Sequence, residues 1–192
     1  QSFLNKLPFH NKKAFDDAKA HFIGNAPDLE IKNKHGQVIW SMKNYAFIPA
    51  SFQAPSTVNP SLWHQARLNM NYGLYHVKDN IYQVRGYDLS NMDIIEGREG
   101  LIIIDPLLTE ETANAALALY YQHRPKKPVI AVIYTHSHAD HYGGVKGIVT
   151  PESVANGKVK IIAPEGFLSA AVSENVYAGN AMSRRATYMY GA

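Results

Sequence analysis

The apolar run Val129-Ile130-Ala131-Val132-Ile133-Tyr134 passes without a break into Thr135-His136-Ser137-His138-Ala139-Asp140-His141, and Tyr142-Gly143-Gly144 follows. The run is short and rich in β-branched residues, so it is predicted to be a buried strand. His136 and His138 are two residues apart. At the fraying end of a strand they point the same way and can converge on one ion. Asp140 and His141 lie beyond the turn, where they can hold a second ion beside the first. Imidazole and carboxylate are the usual ligands of borderline divalent metals such as zinc. Gly143 and Gly144 permit backbone angles or close approaches that a side chain would block. A lone histidine is ordinarily a surface or hydrogen-bonded residue. Three imidazoles and a carboxylate within six residues call for a chemical explanation.

The preceding chain says what kind of fold carries this loop. Four strands are expected, over Tyr72–Val77, Ile81–Arg85, Met92–Glu96 and Leu101–Asp105, separated by turn signals. Asp105-Pro106 closes this meander. A helix is expected over Thr109–His123, which is alanine-rich, has Thr109 as cap and two acids in its first turn, and is ended by Pro125 and Pro128. Strand, helix, strand and ligand loop in that order make an α/β crossover, with functional groups at the carboxyl end of the strand. After the loop come a short helix within Tyr142–Val149, a surface turn over Pro151–Gly157, a strand over Val159–Ala163 and a helical stretch within Glu165–Ala178. Met182, Arg184 and Arg185 follow.

Before residue 72 the reading is of an arm. Asn11–Ile23 is an amphipathic helix candidate with Asn11 as cap, Gly24 as stop and Ala14, Phe15, Ala18 and Phe22 on one face. Leu29–Asn33 and Val38–Met42 read as a hairpin around an exposed His35. Pro49, Pro55 and Pro60 mark an ordered connector over 49–61, and Ser61–Met70 a short helix. Trp40, Tyr45, Phe47 and Phe52 are expected to pack within the chain, with a partner subunit as the alternative.

Two longer patterns carry a resemblance. Thr135 through Gly144 is similar to the signature loop of the metallo-β-lactamase superfamily. Pro8-Phe9, Ala54-Pro55-Ser56-Thr57-Val58-Asn59-Pro60-Ser61-Leu62-Trp63 and Met182-Ser183-Arg184-Arg185 resemble the alkyl sulfatase branch. The resemblance implies an α/β fold, the N-terminal part of an αββα sandwich, with 1–71 as the arm and 72–192 as the first half of the catalytic domain. The rest of that domain, a helical dimerisation domain and a lipid-carrier-like domain would belong to a longer polypeptide. It implies two zinc ions, with His136 and His138 on one, and Asp140 and His141 on the other. Later acidic residues and a histidine would complete the set, Glu165 and Glu174 being weak candidates only. Asp105 resembles a buried aspartate that braces the loop. The implied reaction is hydrolysis of an alkyl sulfate, such as dodecyl sulfate, by metal-activated water that Asp140 orients. A homodimer is also implied. Gln1 would be a mature start after export to the periplasm or medium, with a cytoplasmic protein as the alternative.

Metal-ligating imidazoles need hydrogen-bond partners at their other nitrogen, and Asp105, Thr135 and Ser137 are the candidates. There is no cysteine, so any metal must be held by nitrogen and oxygen. The net charge of +3 is spread without a basic block, which argues against nucleic acid. No apolar stretch approaches a membrane span. Arg184 and Arg185 could meet a sulfate, although a solvated pair explains them equally well. Another hydrolase of the superfamily (lactamase, thioesterase or phosphodiesterase) and a non-catalytic metal-binding module are the rival readings.

Overall fold

The computed structural model describes residues 3, 6–8, 11–48 and 53–190, with backbone only for 189–190. Gln1, Phe9, Pro49 and Phe52, named above, lie outside the described residues.

A seven-stranded sheet organises the chain, in the order β1 (Phe22–Gly24), β4 (Gly73–Lys78), β5 (Ile81–Arg85), β6 (Met92–Glu96), β7 (Leu101–Ile104), β8 (Val129–Ile133) and β9 (Lys160–Ile162). β4, β5, β6 and β7 form the expected antiparallel meander. α3 (Glu110–His123) then crosses over, so that β8 runs parallel to β7, with Ile103 beside Val132. β9 adds a second parallel edge. The chain is therefore a mixed α/β fold, as the crossover pattern predicted.

The period-two alternation of the strands decides which face is core. Val84, Met92, Ile94, Leu101, Ile103 and Val132 are fully buried, whereas Gln83, Asp93, Ile95, Ile102 and Ile104 between them are half-buried. α3 lays Ala116, Leu117, Leu119 and Tyr120 into the same core. Thr109 caps α3 through a reciprocal bond with Thr112. The hydroxyl of Thr112 also donates to the buried Asp88, which takes the Leu108 N–H as well. These bonds fix the turn between β7 and α3 against the β5–β6 loop.

Residues before 72 join this framework. β1 (Phe22–Gly24) pairs with β4, and the hairpin β2 (Glu30–Lys32) and β3 (Val38–Ser41) adds Leu29, Ile31 and Met42 to the core. Trp40 faces Tyr45 and Phe47 faces Trp63 as tilted ring pairs 6.4 Å apart, so the described aromatics make contacts within the chain, although Tyr45 and Phe47 remain exposed. α2 (Pro60–Asn69) starts one residue before its expected position, capped by Asn59.

Several boundaries differ from expectation. The first helix, α1, covers only Lys13–Lys19, because His21 takes a left-handed turn (φ 59°) and Phe22 is drawn into the sheet opposite Tyr75. Gly24 thus lies in a strand. The expected surface turn after Pro151 is a short helix, α4 (Pro151–Ala155), because the Thr150 side chain caps it and proline suits its first turn. Of the supposedly buried strand 129–134 only Val132 and Tyr134 are buried. Among the described residues, nothing covers its other face to the depth that α3 covers the first. The helical stretch after Glu165 splits into α5 (Phe167–Val172) and a wide, π-helical turn over Ser173–Tyr177, and α6 (Gly179–Tyr190) follows.

Candidate metal centre

The site forms where β7 and β8 end side by side. The Asp105 N–H still bonds Ile133 O at 2.9 Å, which extends the pairing of the two strands by one step. Asp105 and Leu107 then take left-handed backbone angles (φ 54° and 62°), and this turns the buried Asp105 carboxylate toward the start of the loop. Left-handed angles are tolerated by aspartate but unusual for leucine, so the turn is held by its surroundings.

Asp105 is the hub. Its Oδ1 accepts the Thr135 N–H at 2.8 Å, and its Oδ2 accepts the Thr135 hydroxyl at 2.7 Å and His141 Nδ1 at 2.8 Å. Thr135 Oγ1 also lies 2.8 Å from His136 Nδ1. These contacts assign the protons of neutral imidazoles. A threonine hydroxyl has a single proton, and an ionised carboxylate can only accept. With that proton given to Asp105, Thr135 must accept from His136 Nδ1–H, which leaves His136 Nε2 as a bare lone pair. His141 Nδ1–H faces the same carboxylate, so His141 Nε2 is bare too. His138 has the opposite arrangement. Its Nε2 is 2.9 Å from Glu174 Oε1, which leaves Nδ1 free.

The three rings gather closely. Their centroids are 4.1 Å apart for His136 and His141, and 4.6 Å for His136 and His138. Asp140 Oδ2 stands 3.5 Å from His141 Nε2. Among the described residues, ligating atoms of Asp105, His136 and His141 all lie within 4.8 Å of one another. By distance Asp105 therefore qualifies as a ligand. Its hydrogen bonds argue otherwise, since both oxygens are committed to Thr135 and His141, and we assign it as the brace of the loop.

The two glycines act through close approach, not through unusual angles. A Cβ on Gly143 would overlap Leu108 O, and one on Gly144 would overlap Pro106 O and meet Ala113 Cβ at 2.8 Å. Gly144 N–H also bonds Leu107 O at 2.9 Å. The loop is thereby pressed onto the turn that carries Asp105. Beneath it Tyr134, Tyr142 and Phe167 form an aromatic triangle with centroids 5.1–5.8 Å apart. Burial in that triangle pushes the Tyr134 phenol up to about 12, with Tyr142 adding to the shift.

The structure thus gathers the rings of His136, His138 and His141 and sets Asp140 beside His141, with Thr135 behind them, but among the described residues the ligating atoms that converge are those of Asp105, His136 and His141, and His138 and Asp140 stand outside that group. Ser137 turns away from the imidazoles and donates to Glu174 Oε2 at 3.1 Å. Ser90, from the β5–β6 loop, donates to Asp140 O and anchors that residue's backbone. Neither Ser90 nor the use of Glu174 was signalled by spacing in the sequence. Arg184 and Arg185 lie exposed on α6. The donor set, imidazole nitrogens and a carboxylate with each ring's second nitrogen already engaged, fits a divalent metal of the zinc type.

The model of the metallo-β-lactamase superfamily matches residues 85–188, a span that holds the meander's end, α3, the loop and the wide turn. The chain belongs to the metallo-β-lactamase superfamily. Within it, the chain is 59% identical over 190 residues to a linear primary-alkylsulfatase of a Pseudomonas species, covering 99% of this chain and 28% of that protein. It is 56% identical to the alkyl/aryl-sulfatase BDS1 of Saccharomyces cerevisiae, over 97% of this chain and 29% of the relative. The solved structure of the stereoselective inverting sec-alkylsulfatase Pisa1 from Pseudomonas superposes with a TM-score of 0.90 at 53% identity, over 97% of this chain and 29% of that one. The chain therefore spans less than a third of the length of these relatives. The superfamily implies a metal, and the donor set described above is where this chain would hold it.

Proposed function

We propose that the protein hydrolyses alkyl sulfate esters to an alcohol and inorganic sulfate with two zinc ions. His136 and His138 would hold one ion, and Asp140 and His141 the other. The observation that carries the reaction type is the proton arrangement: three neighbouring imidazoles are each tied to the protein through one nitrogen, which leaves the other for a metal, and Asp140 Oδ2 stands 3.5 Å from His141 Nε2. The substrate class is supported by the 59% and 56% identity to proteins that are alkylsulfatases.

When bound, such ions lower the pKa of water to near neutrality and stabilise charge developing on the ester. The chain's own residues hold the geometry. Asp105 and Thr135 keep His136 and His141 in the tautomers that ligate through Nε2. Asp140, its backbone fixed by Ser90, offers a carboxylate oxygen that can accept a hydrogen bond from the attacking water and orient it. On this reading the remaining ligands and the donors for the sulfate group come from the rest of the same polypeptide. The resemblance also supports a homodimer and a periplasmic or secreted location, which sedimentation and cell fractionation would test.

The deciding experiment is metal analysis of the intact polypeptide, paired with sulfate release from dodecyl sulfate. Two zinc ions per chain and sulfate release are expected. Two ions without release would point to a superfamily hydrolase of another substrate class. A His136→Ala protein with unchanged metal content would remove the basis of the proposal.

A further inference from the structure

His138 is the one imidazole of the loop that the Asp105–Thr135 network does not reach. Its side chain is 54% exposed, against 23% for His141, and among the described residues its ring nitrogens have one polar partner, Glu174. That glutamate uses both oxygens on the loop. Oε1 lies 2.9 Å from His138 Nε2, and Oε2 accepts the Ser137 hydroxyl at 3.1 Å. The next residue grips the loop as well. Asn175 Nδ2 lies 2.9 Å from Ala171 O, 3.2 Å from Tyr142 Oη and 3.4 Å from Ser137 O.

Both side chains come from the π-helical turn Ser173–Tyr177, closed by Ala178 N–H to Ser173 O at 2.9 Å. Such wide turns are rare, occur mostly as single-turn bulges in helices, and are frequent at functional sites. Here the turn puts two consecutive residues, Glu174 and Asn175, in reach of one loop.

We propose that Glu174 is a positioning residue: it holds His138 as the Nε2–H tautomer and so leaves Nδ1 as the nitrogen that takes the metal. This rests on the metal-centre reading and deepens it. The weak ligand candidate of the sequence thereby becomes a carboxylate one atom group further out. His138 ligates through the nitrogen opposite to that used by His136 and His141, and its acceptor comes from a separate element. The Asp105 network orients two rings and the wide turn orients the third.

The test uses the intact polypeptide and measures zinc affinity by competition with a chromophoric chelator, which needs no turnover. Glu174→Ala is expected to weaken zinc binding by about 10- to 100-fold, the usual cost of losing a partner of a ligating histidine. Glu174→Gln, whose amide oxygen still accepts from Nε2–H, is expected to retain most of the affinity. In a His138→Ala background, adding Glu174→Ala should change little. Unchanged affinity in Glu174→Ala overturns the proposal. So does loss of a zinc equivalent in Glu174→Gln, which would make the carboxylate a ligand itself. A wild-type polypeptide that takes up no zinc overturns the metal-centre reading beneath it, and is distinguished by needing no variant.

Discussion

His141 Nδ1 lies 2.8 Å from Asp105 Oδ2, and this contact joins the metal-type loop to the end of β7, 36 residues earlier in the chain. The same oxygen takes the Thr135 hydroxyl, so one buried carboxylate sets the protonation pattern of two imidazoles. Asp105→Asn tests that dependence. An amide nitrogen in place of Oδ2 would face two donors and could accept from neither. His141 would lose the acceptor that keeps its proton on Nδ1. Zinc affinity is expected to fall by about 10- to 100-fold. Stability should fall by about 1–3 kcal/mol, because a buried amide at position 105 would set its N–H against donors instead of acceptors. Chelator competition and urea unfolding on the intact protein measure the two effects separately. Wild-type affinity in this variant would contradict the role given to Asp105.

Gly144→Ala addresses the seating of the loop on the 106–109 turn. The new methyl would run into Pro106 O and into Thr109 O at 2.5 Å, both of them backbone atoms. Backbone cannot swing aside as a side-chain tip can. Overpacking of this kind costs about 1–3 kcal/mol. A lowered urea midpoint is expected, together with weaker zinc binding as the loop lifts from Asp105. Gly157→Ser is a poor comparison because of its positive φ, whereas Gly179, with nothing near its Cβ position, supplies the control: Gly179→Ala should leave both readings unchanged.

The sequence was legible where the signal is local. The turn signals that bound Met92–Glu96 and Leu101–Ile104 and the Thr109 cap each sit within a few residues, and the elements they predicted are present. Partners contributed from a distance were not legible. Ser90 meets Asp140 across 50 positions, and Glu174 meets Ser137 across 37. Nothing in the chain around Glu174 distinguishes it from a surface acid until the wide turn is known. The first helix was overextended for a related reason: Phe22 fits a helical face by spacing, but its pairing with Tyr75 wins once β4 is beside it.

Far from the loop, Glu96 offers a pH test of the fold. The Arg124 guanidinium, 2.8 Å away, holds its carboxyl below the usual range, and the Tyr120 hydroxyl assists against the opposing effect of burial. A carboxyl depressed in the folded state stabilises the fold at pH above its unfolded value of 4.5. That contribution fades as pH falls below 4.5 and is gone once the folded carboxyl is protonated. Arg124→Met should therefore lower stability at pH 7 by about 1 kcal/mol, a figure reduced for the partial exposure of the arginine. It should also make the loss of stability below pH 4.5 shallower than in the wild type. Urea unfolding at pH 7 and at a series of acidic values gives the comparison, and parallel curves would contradict it.

Metal removal provides the last test, because the brace needs no ion. The bonds from Thr135 and His141 to Asp105, and from His138 and Ser137 to Glu174, are all made by the protein alone. Stripping the intact polypeptide with a chelator should abolish hydrolysis while leaving its secondary structure by circular dichroism unchanged. Stability should drop, since an ion that binds only the folded state contributes RT ln(1 + [Zn]/Kd), about 4 kcal/mol at a thousandfold excess over Kd. Added zinc should restore both activity and stability without a slow refolding phase, because the ring tautomers are already set. Collapse of the circular dichroism signal on chelation would show instead that the ion builds the loop, and that Asp105 and Glu174 only follow it.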